Sequence, residues 1–412
     1  MLEYYEPYLN LSSPEHSNTM GVILSLHDPV DGEILRSVAE ELRVRFPYFY
    51  VKVACRNNEV ITVPNPLPMT VRNSWDSINF NSEDSNYHLA AWKYDDRRVA
   101  FEIPHSLTDG AGVLPYIKSA MFLYLSKATG QRFNPAGFRL PGDVIPDSEI
   151  GDPFRDIDFD SVKSPLYKKE LIPDFFRLVS GMDRDKRVFY LKLSESQVME
   201  FCKKNDASLN VLFCVMLAKA ARKYDPVCEK TITVSVAINH KAILGNLDNY
   251  RMFVGQAILD FPKNRDLDDI RKACTIGRGQ LMLQADPENS VWDIKNRKSR
   301  LQSISFDVPQ ASICVSYVND RSFGPLDPYI EEMYIVTSLS KITDMLCEVT
   351  CINHSFFLAF LQPFSSEKFL ECFLEELHVV GIPCELLRSE PLQMCGIDRI
   401  PVPQSYGDET YL

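Results

Sequence analysis

The segment Ile103-Pro-His105-Ser-Leu-Thr-Asp109-Gly110 brings together three residue types that can do chemistry. Imidazole titrates close to neutrality, so His105 can take a proton from a hydroxyl or amine and return it to a leaving thiolate. Asp109, four residues on, suits an anchor for the turn. Gly110 suits a backbone position too tight for a side chain. Seven histidines, 56 acidic residues and 17 glycines in 412 positions give about 0.04 chance occurrences of His-x-x-x-acid-Gly, the background any short motif carries. A histidine that merely satisfies a strand-end carbonyl would leave the same trace, so the surroundings decide.

Those surroundings predict a strand ahead of the motif and a helix behind it. Over 98–103, Val99, Phe101 and Ile103 share one face, the period of a half-buried strand. Over 111–129, Leu114, Ile117, Met121, Tyr124 and Ala128 fall at helical spacing, and Gly130 terminates the run. Upstream, 22–28 reads as a strand. A helix follows, capped by Asp31 and buried through Leu35, Val38 and Leu42, then strands over 46–54, where Phe49, Val51 and Val53 alternate, and near 87–94. Prolines at 135, 141, 146, 153, 165 and 173 mark 131–186 as an irregular crossover.

Beyond it the pattern restarts with a strand from Arg187 and a helix opened by the capping box Ser194-Glu-Ser-Gln197. A helix capped by Ser208 follows, with Leu209, Leu212, Phe213, Met216, Leu217 and Ala220 inward. Strands are expected at 231–238, 254–260, 312–318, 345–352 and 355–361, then a helix over 366–377. From about 385, three prolines and weak periodicity predict a loosely held tail. Strands do not strictly alternate with helices, so the reading is two α+β lobes, 1–181 (with the crossover from about 131) and 182–412.

Composition excludes other classes. The net charge is −12, with no basic run, which disfavours nucleic acid and anionic membranes. No segment approaches the ~18 apolar residues that span a bilayer, and Met1-Leu-Glu-Tyr-Tyr-Glu lacks a signal-peptide pattern. Eleven cysteines form no Cys-x-x-Cys, and several sit in apolar runs, which reads as reduced core thiols in a cytoplasmic protein. Gly277-Arg-Gly279 lacks the third glycine of a dinucleotide loop, and there is no Gly-x-Ser-x-Gly, phosphate loop or His-Glu-x-x-His, so no metal is expected.

His-x-x-x-Asp-Gly after a strand resembles the signature of the CoA-dependent acyltransferase superfamily, which includes chloramphenicol acetyltransferase, alcohol acetyltransferases and peptide-synthetase condensation domains. Many members carry two successive histidines. Pro104 takes the first place here, and His105 the second, which is the family's catalytic one. The resemblance runs over roughly 20–383. Asp31 to Tyr48 is similar to the opening helix and the Arg-x-Pro segment after it. Asp206-Ala-Ser-Leu-Asn is similar to a second-lobe helix start. Val234-Ser-Val-Ala-Ile-Asn239-His-Lys241 with Asn249-Tyr-Arg251-Met-Phe is similar to alcohol-acetyltransferase segments, and Ser316-Tyr-Val-Asn319-Asp-Arg-Ser-Phe-Gly324 to the Ser-Asn-x-Gly strand.

The resemblance implies two chloramphenicol-acetyltransferase-like lobes in a V, with a central tunnel where an acyl thioester and a hydroxyl or amine acceptor meet at His105. Transfer would be direct, with acyl-CoA or an acyl carrier protein as co-substrate, no tightly bound cofactor, and a monomeric chain. The family's aspartate pairs with an arginine. Lys241 stands where many members have it, Arg251 is the other candidate, and the sequence leaves both open. Ser316 or Asn319 is the candidate oxyanion donor, against a hydroxyl bonded to its neighbouring strand, and His240 could line the tunnel. Lys203, Lys204, Lys219, Arg222 and Lys223 are the candidate cations for CoA phosphates, against a solvated face. The rival readings are a condensation-type enzyme fed only by a carrier protein, and a non-catalytic member that binds a ligand or partner.

Overall fold

A computed structural model describes residues 4–5, 9, 17–56, 59–152, 157–178, 186–300, 309–340, 342–397 and 410–411. The first part of the chain supplies β1 (Thr19–Leu26), α1 (Gly32–Leu42), β2 (Val51–Arg56), β3 (Glu59–Pro64), β4 (Ala91–Asp95), β5 (Arg98–Pro104) and α2 (Gly110–Thr129). The middle supplies β6 (Arg187–Ser194), α3 (Glu195–Lys204), α4 (Leu209–Tyr224), β7 (Ile232–Asn239), α5 (His240–Leu244), β8 (Val254–Phe261), α6 (Ile270–Gln284) and α7 (Pro287–Arg300). The last third adds β9 (Ala311–Tyr317), β10 (Ile330–Thr337), β11 (Thr343–Ile352), β12 (Ser355–Gln362), α8 (Lys368–Val379) and β13 (Cys384–Pro391).

Two mixed sheets carry the molecule. The first runs β10-β1-β5-β4 and ends on the short strand Val71–Arg72. Its helices are α1 and α2. Asp31 caps α1 by accepting from the amides of Glu33 and Ile34, and Leu35, Val38 and Leu42 are the buried stripe. Gly130 closes α2 at φ 69°, a left-handed position where a Cβ is costly. The second sheet runs β8-β7-β9-β11-β12-β6-β13. Val234 and Val236, Ile313 and Val315, and Met345, Cys347 and Val349 point from it into one core shared with α4 and α8. Ser208 sits at the N-cap of α4 without making a side-chain cap bond.

Besides β3, α6 and α7, for which the sequence reading placed no element, three of its parts need amendment. Phe49 belongs to a 3-10 turn, Pro47–Phe49, and the strand starts at Val51. The tail is held through residue 397, because Gly396–Ile397 pairs with Asn79–Phe80 and β13 pairs antiparallel with β6 from Cys384↔Leu193 to Pro391↔Arg187. A register shift between Leu386 and Arg388 breaks the alternation that would have announced this strand. The expectation for 398–409 lies outside the described residues.

The third amendment is β10, which the reading lacked. Although late in the chain, it pairs antiparallel with β1 in the first sheet, Thr337↔Met20 through Ile330↔Leu26. Its own irregularity between Ile330 and Glu332 hides the period of two. Through it, Tyr334, Ile335 and Val336 join the first hydrophobic core. The ten cysteines from Cys202 to Cys395 are all free thiols.

Candidate active site

β5 delivers the motif to the point where the two sheets meet. Pro104 is the last paired residue, opposite Thr19. The amide of His105 then donates to the carbonyl of Asn18 at 2.6 Å, and Leu107 N closes a turn on Pro104 O at 3.0 Å. His105 is half-buried, and its Nδ1 lies 2.8 Å from the carbonyl of Thr108. A carbonyl only accepts, so Nδ1 carries the proton and Nε2 keeps a lone pair, the form a general base needs.

Asp109 is the N-cap of α2. Its Oδ1 accepts from Gly112 N at 2.8 Å and from Lys241 Nζ at 2.7 Å. Its Oδ2 accepts from Phe253 N at 2.8 Å. The ion pair is almost solvent-free, with side-chain exposures of 3% and 0%. Burial pulls the Lys241 ammonium below its ordinary range, and the Asp109 charge opposes that pull. Lys241, on α5, therefore makes the pair that sequence left open. Asp109 clamps the start of α2 to the 239–253 loop and does not reach the imidazole through any of these bonds. Gly110 packs where a Cβ would sit 2.5 Å from Val318 Cγ2. Gly112 is as confined, because a Cβ there would run into Tyr250 O, Thr108 Oγ1 and Lys241 Nζ.

A second buried group, invisible in the sequence, carries this clamp further. Arg45 binds Glu149 in a fork, 2.8 Å on each oxygen. The Tyr250 hydroxyl donates to the same carboxylate, and Arg139 Nη1 donates to that hydroxyl at 2.9 Å. Burial acts to raise Glu149, but the bonds from Arg45 and Tyr250 and the charge of Arg139 outweigh it and hold the carboxyl below its usual range. Tyr250 O in turn accepts from Thr108 Oγ1 at 2.7 Å. The one-turn helix Asp147–Ile150 of the crossover thus reaches His105 through Tyr250 and Thr108.

The other site candidates fare unequally. Ser316 on β9 is the Cα partner of Glu348 on β11, and its hydroxyl hydrogen-bonds that carboxyl. Glu348 is buried, accepts from Thr337 Oγ1 at 3.2 Å, and interacts electrostatically with His105. Burial raises its pKa, opposed by the Ser316 bond, the charge of His105 and the Thr337 bond. Sequence reasoning missed it, although a lone acid inside Met345-Leu-Cys-Glu348-Val-Thr-Cys was a visible signal. Asn319 is exposed and turned away, accepting from Tyr317 OH at 2.9 Å and Arg321 Nε at 3.3 Å. His240 is buried with its ring against Gly255 on β8. Arg251 receives its backbone restraint from Asn249, at 3.0 Å.

Of the five cations expected to serve CoA phosphates, the three on α4 are committed elsewhere. Lys219 pairs with Asp268 and Glu376, Lys223 with Glu375 and Glu376, and Arg222 donates to the carbonyls of Arg265 and Pro262. These residues lie on α4, which covers the face of the second sheet opposite Ser316 and Glu348. Among the described residues no group of three or more His, Cys, Asp or Glu could hold a metal, and no helix is long and apolar enough to cross a membrane.

The chain has a condensation-domain-like fold, two mixed sheets flanked by helices, as comparison with solved structures shows. No family model matches it, and no curated protein matches it in sequence. It is similar to the first condensation domain of the calcium-dependent antibiotic synthetase, at TM-score 0.60 and 11% identity over 88% of this chain and 90% of that one. TRI3 trichothecene 15-O-acetyltransferase from Fusarium sporotrichioides matches at TM-score 0.59 and 12% identity, over 91% and 93%. Polyketide synthase associated protein 5 from Mycobacterium tuberculosis matches at TM-score 0.57 and 12% identity, over 90% and 98%.

Proposed function

We propose that this protein is an acyltransferase that moves an acyl group from a thioester to a hydroxyl or amine, with His105 as general base. The observation that carries the reading is the His105 Nδ1–Thr108 O bond at a strand end, which leaves Nε2 as the proton acceptor. The fold supports it, since structures of this fold include a named acetyltransferase and condensation domains.

Nε2 takes the acceptor's proton as the acceptor attacks the thioester carbonyl. The tetrahedral oxyanion collapses, the C–S bond breaks, and the proton passes from the imidazolium to the leaving thiolate. No acyl-enzyme forms. A preorganised donor facing the oxyanion is worth roughly 3–4 kcal/mol. Ser316 is our candidate, and its single proton serves that role only when turned from Glu348. Asp109 and Lys241 act structurally, fixing the turn that holds the imidazole.

The donor is acyl-CoA or a carrier-bound thioester. The test is mass-spectrometric detection of acylated acceptor when pooled alcohols and amines are offered with each donor type in parallel. Product from CoA thioesters supports the alcohol-acetyltransferase-like form. Product only from the carrier-bound form establishes the condensation-type form. Product from neither overturns the reading in favour of a non-catalytic binder.

A further inference from the structure

We propose that Thr108 is a positioning residue for His105, its hydroxyl anchoring the carbonyl that holds the imidazole in the Nδ1–H form. The kinetic part of this deepens the acyl-transfer reading and rests on it. The state of the imidazole does not.

The peptide between Thr108 and Asp109 presents the carbonyl that accepts from His105 Nδ1 at 2.8 Å. Which ring nitrogen of a histidine carries the proton follows from the bond the ring makes, so whatever fixes this carbonyl fixes the tautomer. The peptide is pinned on both sides. Asp109 is tied to Lys241 and to the amides of Gly112 and Phe253. Thr108 is wholly buried, and its hydroxyl donates to the carbonyl of Tyr250 at 2.7 Å. A hydroxyl has one proton, and the Asp109 carbonyl, at 3.3 Å, is the poorer acceptor for it. Threonine hydroxyls beside a helix start usually bond to their own local backbone. This one spans 142 residues.

The acceptor end is as firmly built. The Tyr250 ring is wholly buried against Phe46, Tyr48 and Phe49, at 5.8, 5.8 and 5.3 Å between centroids. Its amide donates to Glu149 O at 2.9 Å, and its hydroxyl to the Glu149 carboxylate that Arg45 grips. Gly112 makes the room, because a Cβ there would stand 2.3 Å from Tyr250 O and 2.6 Å from Thr108 Oγ1. Glycine weakens a helix, and the contacts it admits account for its place near the start of α2. His105 and Thr108 follow β5 of the first sheet, and Tyr250 lies on the loop leading into β8 of the second. The base is therefore set in its tautomer only where the two sheets meet.

Long-range ¹H–¹⁵N NMR correlation on ¹⁵N-histidine-labelled protein reads this tautomer without any assay of transfer. The His105 signals are assigned by their loss in His105→Ala, and spectra are taken well above the titration range of imidazole, where the ring is neutral. The wild type should show Nδ1 protonated and Nε2 bare. Thr108→Val, close in shape but without the hydroxyl, should give a mixture of both tautomers, and Thr108→Ser should restore most of the wild-type pattern. Thr108→Ala, which leaves room for a water on the Tyr250 carbonyl, serves if the valine variant does not fold. A wild type protonated at Nε2, or an Nδ1–H form unmoved in the folded variants, overturns the proposal. If the wild type transfers acyl groups, Thr108→Val should lower kcat about ten-fold and leave KM within about two-fold, since a misaimed base slows the step without weakening binding. A raised KM with kcat unchanged overturns the positioning role. A wild type inactive with every donor overturns the acyl-transfer reading and leaves the tautomer result standing by itself.

Discussion

Asp109 spends both its oxygens on Lys241, Gly112 and Phe253, so its loss is felt as structure before chemistry. Asp109→Asn leaves an ammonium buried without its counter-charge, and it should cost about 3–5 kcal/mol in chemical denaturation. Asp109→Asn with Lys241→Met should recover most of that. A single variant as stable as wild type would contradict the clamp. Ser316→Ala should lower turnover more than donor binding if its hydroxyl reaches the oxyanion, and a change in binding alone would count against that role. At this scale the sequence disclosed the motif because its residues are contiguous. Glu348 showed only as a lone acid in an apolar run, and Tyr250, Arg45 and Glu149 were not legible as site residues, since they are brought together by contacts between segments about a hundred or more residues apart, which no local pattern records.

Elements were legible where a cap or period stands alone. Asp31 and Gly130 bound their helices, and the strands ending at Pro104 and beginning near Val254 read correctly. β10 and β13 escaped because each carries a register irregularity that interrupts its alternation. Between β3 and β4 the chain packs through His88, whose Nε2 donates to the carbonyl of Leu67 at 2.7 Å. Burial pushes this imidazole down to about 4. The unfolded group binds its proton from about pH 6.5, so between 6.5 and 4 the unfolded chain holds more protons than the folded one. Stability present above pH 6.5 is then lost as pH falls towards 4, by up to about 3 kcal/mol. Urea midpoints measured across this window should fall less steeply in His88→Gln, and an identical slope in both proteins would contradict the assignment.

For the whole molecule, β10 ties the two halves, because a strand from the last third completes the first sheet and carries Tyr334, Ile335 and Val336 into its core. The first core also takes Val188, Tyr190, Phe357 and Leu361 from the second sheet. Calorimetry should therefore show one cooperative transition, and two resolved transitions would contradict a shared core. The measurement closest to the central claim is thiol release from a panel of acyl-CoA and carrier-bound donors with pooled acceptors, wild type beside His105→Ala. The expected result is acceptor-dependent release that vanishes in the variant, with its thermal midpoint nearly unchanged. Equal release from both proteins would contradict His105 as the base.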